Sequence, residues 1–212
     1  MTILYDNIHL KRVVRNNMEI KNRSIIVVVL LITFFIVVAI YSLPHFAQKT
    51  IQNNDYGKAV RILTVRNLFP PHKPYNYSLR AFANYKLNNY EDAIEDFDRA
   101  YRLENDEYKM MNFDNKIYIK YIQKNYESAI KDFDTEIEKT SDSYIKDSLM
   151  WDKAQFLYNI GDLNGALDIY NQLLINSNED GIYLLKSRLY YERAQILLAT
   201  GRYKEARQDM TN

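Results

Sequence analysis

The 212-residue chain is 47% hydrophobic, ordinary for a folded protein, yet it has only 5 glycines and 4 prolines. An all-β chain would need turn residues every ~8–12 positions, so this scarcity points to an all-α fold. The net charge of +1 hides five bases against two acids in residues 1–23, while the rest is two charges negative and lacks the basic excess of a nucleic-acid binder; with no cysteine, disulfides, zinc–thiolate sites and thiol chemistry are excluded.

The first predicted element follows Lys11, Arg12, Arg15, Lys21 and Arg23. From Ser24 to Leu43 the sequence SIIVVVLLITFFIVVAIYSL runs for 20 positions without a charge. As a helix rising ~1.5 Å per residue it spans roughly 30 Å, the thickness of a bilayer's hydrocarbon core. A cleaved signal peptide competes with this reading, but the apolar stretch exceeds the usual ~7–15 residues. No small-x-small cleavage site follows either, since His45 stands two positions before Ala47. The expectation is an uncleaved single-pass anchor with Arg23 and Tyr41 at its two interfaces.

Five bases lie just before the span, whereas the next twenty residues carry only Lys49, Lys58 and Arg61. The positive-inside rule then makes 1–23 a cytoplasmic segment, 24–43 the transmembrane helix and 44–212 an extracytoplasmic domain. The expected location is a bacterial inner membrane with the domain in the periplasm or outside the cell; in a eukaryote several membranes would fit. Pro44 suits a helix's first turn and predicts a kink or restart at the bilayer surface, with little linker before the domain.

Beyond Pro44 one phrase recurs: NNDYGKAVRIL (53–63), NNYEDAIEDF (88–97), KNYESAIKDF (124–133), GDLNGALDIY (161–170) and GRYKEARQDM (201–210). Its alanines, Ala59, Ala93, Ala129, Ala166 and Ala206, are spaced by 34, 36, 37 and 40. A Gly/Asn/Asp pair turns the chain, the small alanine permits close helix approach, and a large residue four later fills the core. Before each phrase lies helical periodicity, as in Tyr77, Ala81, Tyr85 and in Met150, Ala154, Leu157, Tyr158. Each unit is thus helix, tight turn, helix, with an apolar face that only a neighbour covers. PPHKPYN (70–76) reads as the clearest loop, with TSDS (140–143) and NSNEDG (176–181) as further connections.

On these residues the chain resembles the tetratricopeptide repeat (TPR) family, most closely over ANYKLNNYEDAIEDFDRAYRLE (83–104). The resemblance covers roughly 44–212 and implies an α-solenoid of about five hairpins. Three positions depart from the family pattern: Asn84 and Lys120 stand where it buries a large apolar residue, and Glu136 where it is small. An irregular third repeat is therefore expected. The sequence stops at Asn212 without a polar capping helix, so assembly through the last repeat is a further expectation.

In this family the first helices of the hairpins line a concave groove. Carried over, the groove positions are Ser78, Phe82 and Tyr85; Asp114, Tyr118 and Tyr121; Trp151, Gln155 and Tyr158; and Tyr191, Gln195 and Leu198. Each triplet lies on one helix face. The aromatic bias suits a protein- or peptide-binding surface, because such rings offer large contact area at low rotamer cost; packing between helices is the competing reading. Family members that grip a peptide's C-terminal carboxylate present Lys, Asn and Arg at these positions, whereas the second and third units here show Ser78, Phe82, Asp114 and Tyr118, which argues against such a receptor.

No metal, cofactor or catalytic site is expected. His9, His45 and His72 are scattered, and no HExxH, GxSxG or P-loop pattern occurs. The acidic run Glu91, Asp92, Glu95, Asp96 and Asp98 reads as a solvated helix face. The functional expectation is a membrane-anchored scaffold for a protein or peptide partner. Its rivals are a structural subunit of a larger secretion, envelope-assembly or transport complex, and an extracytoplasmic glycan-binding module.

Overall fold

The computed structural model describes residues 2–104, 108–176 and 183–211, with side chains from residues 21–104, 108–175 and 186–211. The loop expected at 176–181 lies outside them apart from Asn176. Ten helices and no strand are present among the described residues.

α1 (Thr2–Gln52) runs without interruption through the apolar block and on through Pro44. Of the kink or restart expected there, the restart does not occur: the proline removes a single N–H, and α1 packs on the next helix. The first half of the hairpin is therefore the far end of the apolar helix, with no linker between them. Its segment Lys21–Gln52 is long and apolar enough to cross a membrane, and residues 21–39 are exposed throughout.

The remaining helices are α2 (Tyr56–Arg66), α3 (Pro74–Lys86), α4 (Tyr90–Leu103), α5 (Tyr108–Ile122), α6 (Tyr126–Lys139), α7 (Ser143–Ile160), α8 (Leu163–Asn176), α9 (Tyr183–Ala199) and α10 (Tyr203–Asp209). The loop expected at 70–76 is shorter than read, because Pro74 is the first residue of α3. A proline there forfeits an N–H that has no helical partner anyway. Ser143 likewise opens α7, whose first turn is capped by the Asp142 carboxylate accepting from the Ile145 N–H.

One turn is built five times. The residue five before each repeat alanine has positive φ: Asn54 (59°), Asn88 (61°), Lys124 (58°), Gly161 (88°) and Gly201 (75°). In each, the next residue's N–H reaches six-to-one back to the outgoing helix, as Asp55 to Thr50, Asn89 to Asn84, Asn125 to Lys120, Asp162 to Leu157 and Arg202 to Leu197. This is the Schellman closure, which satisfies otherwise orphaned carbonyls and reverses the chain. The repeat alanines are all fully buried. A larger side chain would wedge the paired helices apart.

The chain divides into two compact units, Met1–Lys116 and Ile117–Asn212. In the first, α1 packs on α2, α2 on α3 and α3 on α4. In the second, α6 packs on α7, α7 on α8, α8 on α9 and α9 on α10, around a core that includes Leu157, Tyr170, Leu173, Ile196 and Leu197.

In the third hairpin α5 and α6 have 15 and 14 residues and the same closing turn as the others. Lys120 is buried as an apolar residue would be, but its ammonium donates to the Ser128 hydroxyl at 2.8 Å and pairs with Asp132. Asn84 is also buried, its amide oxygen accepting from Asn89 at 3.4 Å. Buried polar groups are tolerated where partners replace water.

The acidic run needs a similar correction. Glu91, Asp92 and Glu95 are exposed, but Asp96 is buried and accepts a two-pronged bond from Arg80, Nε and Nη2 each at 2.7 Å. Asp98 accepts from Lys116 at 2.9 Å.

Candidate functional site

Within the first unit, α3 and α5 present a cavity of about 760 Å³. Phe82, Leu79 and Phe97 give it apolar walls, and Tyr75, Tyr108 and Met111 add exposed apolar side chains around them. Lys73 and Glu104 bring one charge of each sign to its lining. Ser78, also lining it, donates its hydroxyl to the Asn112 side-chain oxygen at 2.7 Å, which ties α3 to α5 beside the cavity. Phe82 is held from the far side by an edge-on contact with Tyr56 at 6.3 Å between ring centroids. Such a recess suits an apolar or aromatic side chain of a peptide, since it offers contact area with few polar groups to desolvate.

Tyr85 does not line this cavity. It is half-buried against Tyr90, and the Lys86 ammonium lies over the rings of both Tyr85 and Phe82, at 5.2 and 5.3 Å from their centroids.

Apart from Asp114, the other sequence-derived positions belong to the second unit. Tyr121 packs on Tyr126 and Phe156, each 6.0 Å away, and repeats the Tyr85–Tyr90 pairing across the next turn. Tyr118, Tyr158 and Tyr191 are exposed. Trp151 and Gln155 on α7 converge on Glu192 of α9, donating from Nε1 at 2.6 Å and from Nε2 at 3.2 Å. The Tyr170 hydroxyl on α8 donates to the same carboxylate at 2.8 Å, and Arg188 Nε at 3.0 Å. Burial first, and then the bond to Glu192, push the Tyr170 phenol well above its ordinary range. Gln155, Tyr158 and Gln195 line a smaller, polar recess of about 200 Å³ beside this cluster. Asp114 is exposed and partly desolvated, which pushes its carboxyl up from the usual carboxylate value.

Three features escaped the sequence reading. Tyr75, Tyr108 and Met111 lie outside the i, i+4, i+7 triplets, although Tyr75 and Met111 sit one helical turn from Ser78 and Asp114 and Tyr108 nearly two turns from Asp114. Glu192 is marked only by an i, i+4 pairing with Arg188. The third is a row of cations 13 residues before the repeat alanines: Arg80, Lys116, Lys153 and Arg193. Lys116 and Lys153 pair with acids of the preceding hairpin, Asp98 and Asp134. Arg80 and Arg193 instead grip Asp96 and Asp209 of their own hairpin, with Thr64 or Asn171 of the preceding one at 3.2 and 2.8 Å. The recurrence was present in the sequence as a second periodic signal. Among the described residues no group of three His, Asp or Glu side chains is placed to hold a metal ion.

Stacked antiparallel hairpins with a small residue at each close approach define a helical-repeat protein. Sequence models of the tetratricopeptide repeat match residues 74–107 and 152–210. Among solved structures, nearly identical TPR-like repeats from Podosopora anserina align with a TM-score of 0.54 at 13% identity, over 81% of this chain and 91% of that one. MamA from Desulfovibrio magneticus RS-1 aligns at 0.52 and 13% over the same shares. The C-terminal part of a TPR repeat-containing protein from Cytophaga hutchinsonii aligns at 0.52 and 18%, over 78% of this chain and 61% of its own. At such identities the likeness concerns the fold alone. No curated protein matches the chain in sequence.

Proposed function

We propose that the protein is a non-catalytic, membrane-anchored scaffold that holds a protein or peptide partner. In this reading residues 1–23 are cytoplasmic, 24–43 cross the membrane and 44–212 form the repeat domain outside the cytoplasm. The observation that carries the binding role is the open cavity of about 760 Å³ walled by Phe82, Leu79 and Phe97. A stack that only filled its own interior would close such a recess with a side chain. The partner therefore offers an apolar or aromatic residue to it. Anchoring is supported by the fully exposed apolar run of α1, which water would not tolerate. Confinement to a bilayer raises the local concentration of both partners, so a weak pocket suffices.

The second unit supports the same role less well, because Trp151 and Gln155 already spend their polar atoms on Glu192. The test is site-specific photo-crosslinking in intact membranes, with a benzophenone amino acid at Tyr75. Capture of a polypeptide that is lost on Met111→Asp supports the assignment. Equal capture from the Met111→Asp chain would overturn it.

A further inference from the structure

We infer that the loop after α2, carrying Leu68 and Phe69, is a second membrane contact that dips into the headgroup–acyl boundary of the bilayer crossed by α1. The inference rests on the proposed anchoring of α1 and adds a surface to it.

α2 folds back along α1, the two joined by the turn at Asn53–Asp55. From Tyr56 to Arg66 it climbs about 15 Å at ~1.5 Å per residue, which returns the chain to the level of Tyr41. The Arg66 guanidinium records that level: its carbon lies 5.5 Å from the centroid of the Tyr41 ring. The same guanidinium donates to the carbonyls of Phe69 at 2.6 Å and Pro71 at 3.1 Å. The loop is thus clamped beside Tyr41, within the last turn of the apolar run. The exposure of α1 agrees, since residues 21–39 are bare and Ile40 is the first to be partly covered.

At that level the loop displays apolar side chains without cover. Leu68 is 71% exposed, Phe69 40% and Val65 48%. Leu68 and Phe69 in the loop, with Val65 at the end of α2, make an unfavourable solvent face, but they continue the apolar surface of α1 sideways. His72 and Lys73 follow on the exposed side, where a cation meets lipid phosphates. Apolar tips with flanking cations are the pattern of segments that lie in an interface rather than cross it. A single helix leaves a domain free to tilt; a second contact about one helix diameter away restrains it.

The chain has no native cysteine, so single labels are clean. The full chain carrying Leu68→Cys, Phe35→Cys or Asn53→Cys is labelled with an environment-sensitive nitrobenzoxadiazole dye. Each is reconstituted into vesicles of phosphatidylcholine and phosphatidylglycerol. Phe35 reports the span, and Asn53 the far end of the same hairpin. The expected result is quenching by spin-labelled lipid at Phe35 and Leu68, severalfold above that at Asn53, with aqueous iodide quenching Asn53 alone. If Phe35 is in lipid while Leu68 is quenched by iodide like Asn53, the loop contact is overturned and the anchor stands. A Leu68 label shielded from both quenchers means protein covers the loop, which also overturns it. Iodide quenching at Phe35 removes the anchor, and the loop contact with it.

Discussion

Glu192 on α9 accepts the indole N–H of Trp151 on α7 at 2.6 Å and the Tyr170 hydroxyl of α8 at 2.8 Å, so one carboxylate ties three consecutive helices. Trp151 and Gln155 are expected groove residues, yet their polar atoms face inward to this acid. Glu192→Ala leaves the Trp151 N–H and the buried Tyr170 hydroxyl without an acceptor, at about 1–3 kcal/mol for each group stranded. The expected loss is about 3 kcal/mol for the second unit. Thermal unfolding of the detergent-solubilised chain, followed through its single tryptophan, measures it, and a change under 0.5 kcal/mol (about the size of an ordinary surface substitution) would contradict the hub.

The Arg80–Asp96 pair makes the opposite demand. Asp96 is buried and both its oxygens are taken by one guanidinium. Removing the arginine alone strands a buried charge, so Arg80→Met should destabilise by about 3–5 kcal/mol. The double change Arg80→Met, Asp96→Leu replaces the pair with apolar volume and should recover most of that loss. A double-mutant cycle by urea unfolding reads the coupling. Additive losses would mean that the two side chains act independently.

Lys124 holds the left-handed turn position that asparagine or glycine holds in the other four hairpins. A Cβ in this conformation is strained, and lysine has no short side chain to compensate. Lys124→Gly should stabilise the chain by about 0.5–1 kcal/mol, net of glycine's entropy in the unfolded state. Gly161→Ala should destabilise by about 1 kcal/mol, through the backbone alone, because nothing lies within 4 Å of the added carbon. A rise in melting temperature on Gly161→Ala would show that the turn relaxes.

The hairpins were readable because every copy of the phrase encodes the same turn and the same close approach, so each copy checked the others. Asn84, Lys120 and Asp96 misled the reading for one reason: a polar residue reads as unfit for the interior, while its burial depends on a partner that sits 5 to 16 residues away. Lys120 belongs with Asp132, and Asp96 with Arg80. The cavity was legible only in part. Phe82 and Ser78 lie on the expected face, but Tyr75 and Met111 join it from a neighbouring helical turn and from the facing helix. That juxtaposition is set by how α3 meets α5, which no single-helix periodicity contains.

The proposed anchoring by α1 yields a quantitative test. Residues 24–43 contain fifteen Ile, Val, Leu and Phe residues, worth about −0.3 to −0.6 kcal/mol each on the insertion scale, or roughly −5 to −9 kcal/mol together. The chain should stay with membranes through an alkaline carbonate wash. Ile32→Lys with Ile36→Lys adds about 5–7 kcal/mol and cancels most of that margin. The doubly charged chain should leave the pellet; release of the unaltered chain would rule out a spanning helix.

The cavity in the first unit predicts a separation between binding and stability. Met111 and Tyr75 are exposed, so replacing them costs little core packing. Phe97 is buried beneath them and its loss would confound any binding measurement. Met111→Ala together with Tyr75→Ala should therefore leave the melting temperature within about 2 °C, because surface changes stay near ±0.5 kcal/mol. Recovery of the partner from native detergent extracts should fall at least tenfold, the equivalent of about 1.4 kcal/mol. Trp151→Ala, in the second unit, serves as the contrast: it disturbs the Glu192 cluster and should lower stability. If it reduced partner recovery at unchanged melting temperature while the cavity variant did not, the binding surface would belong to the second unit.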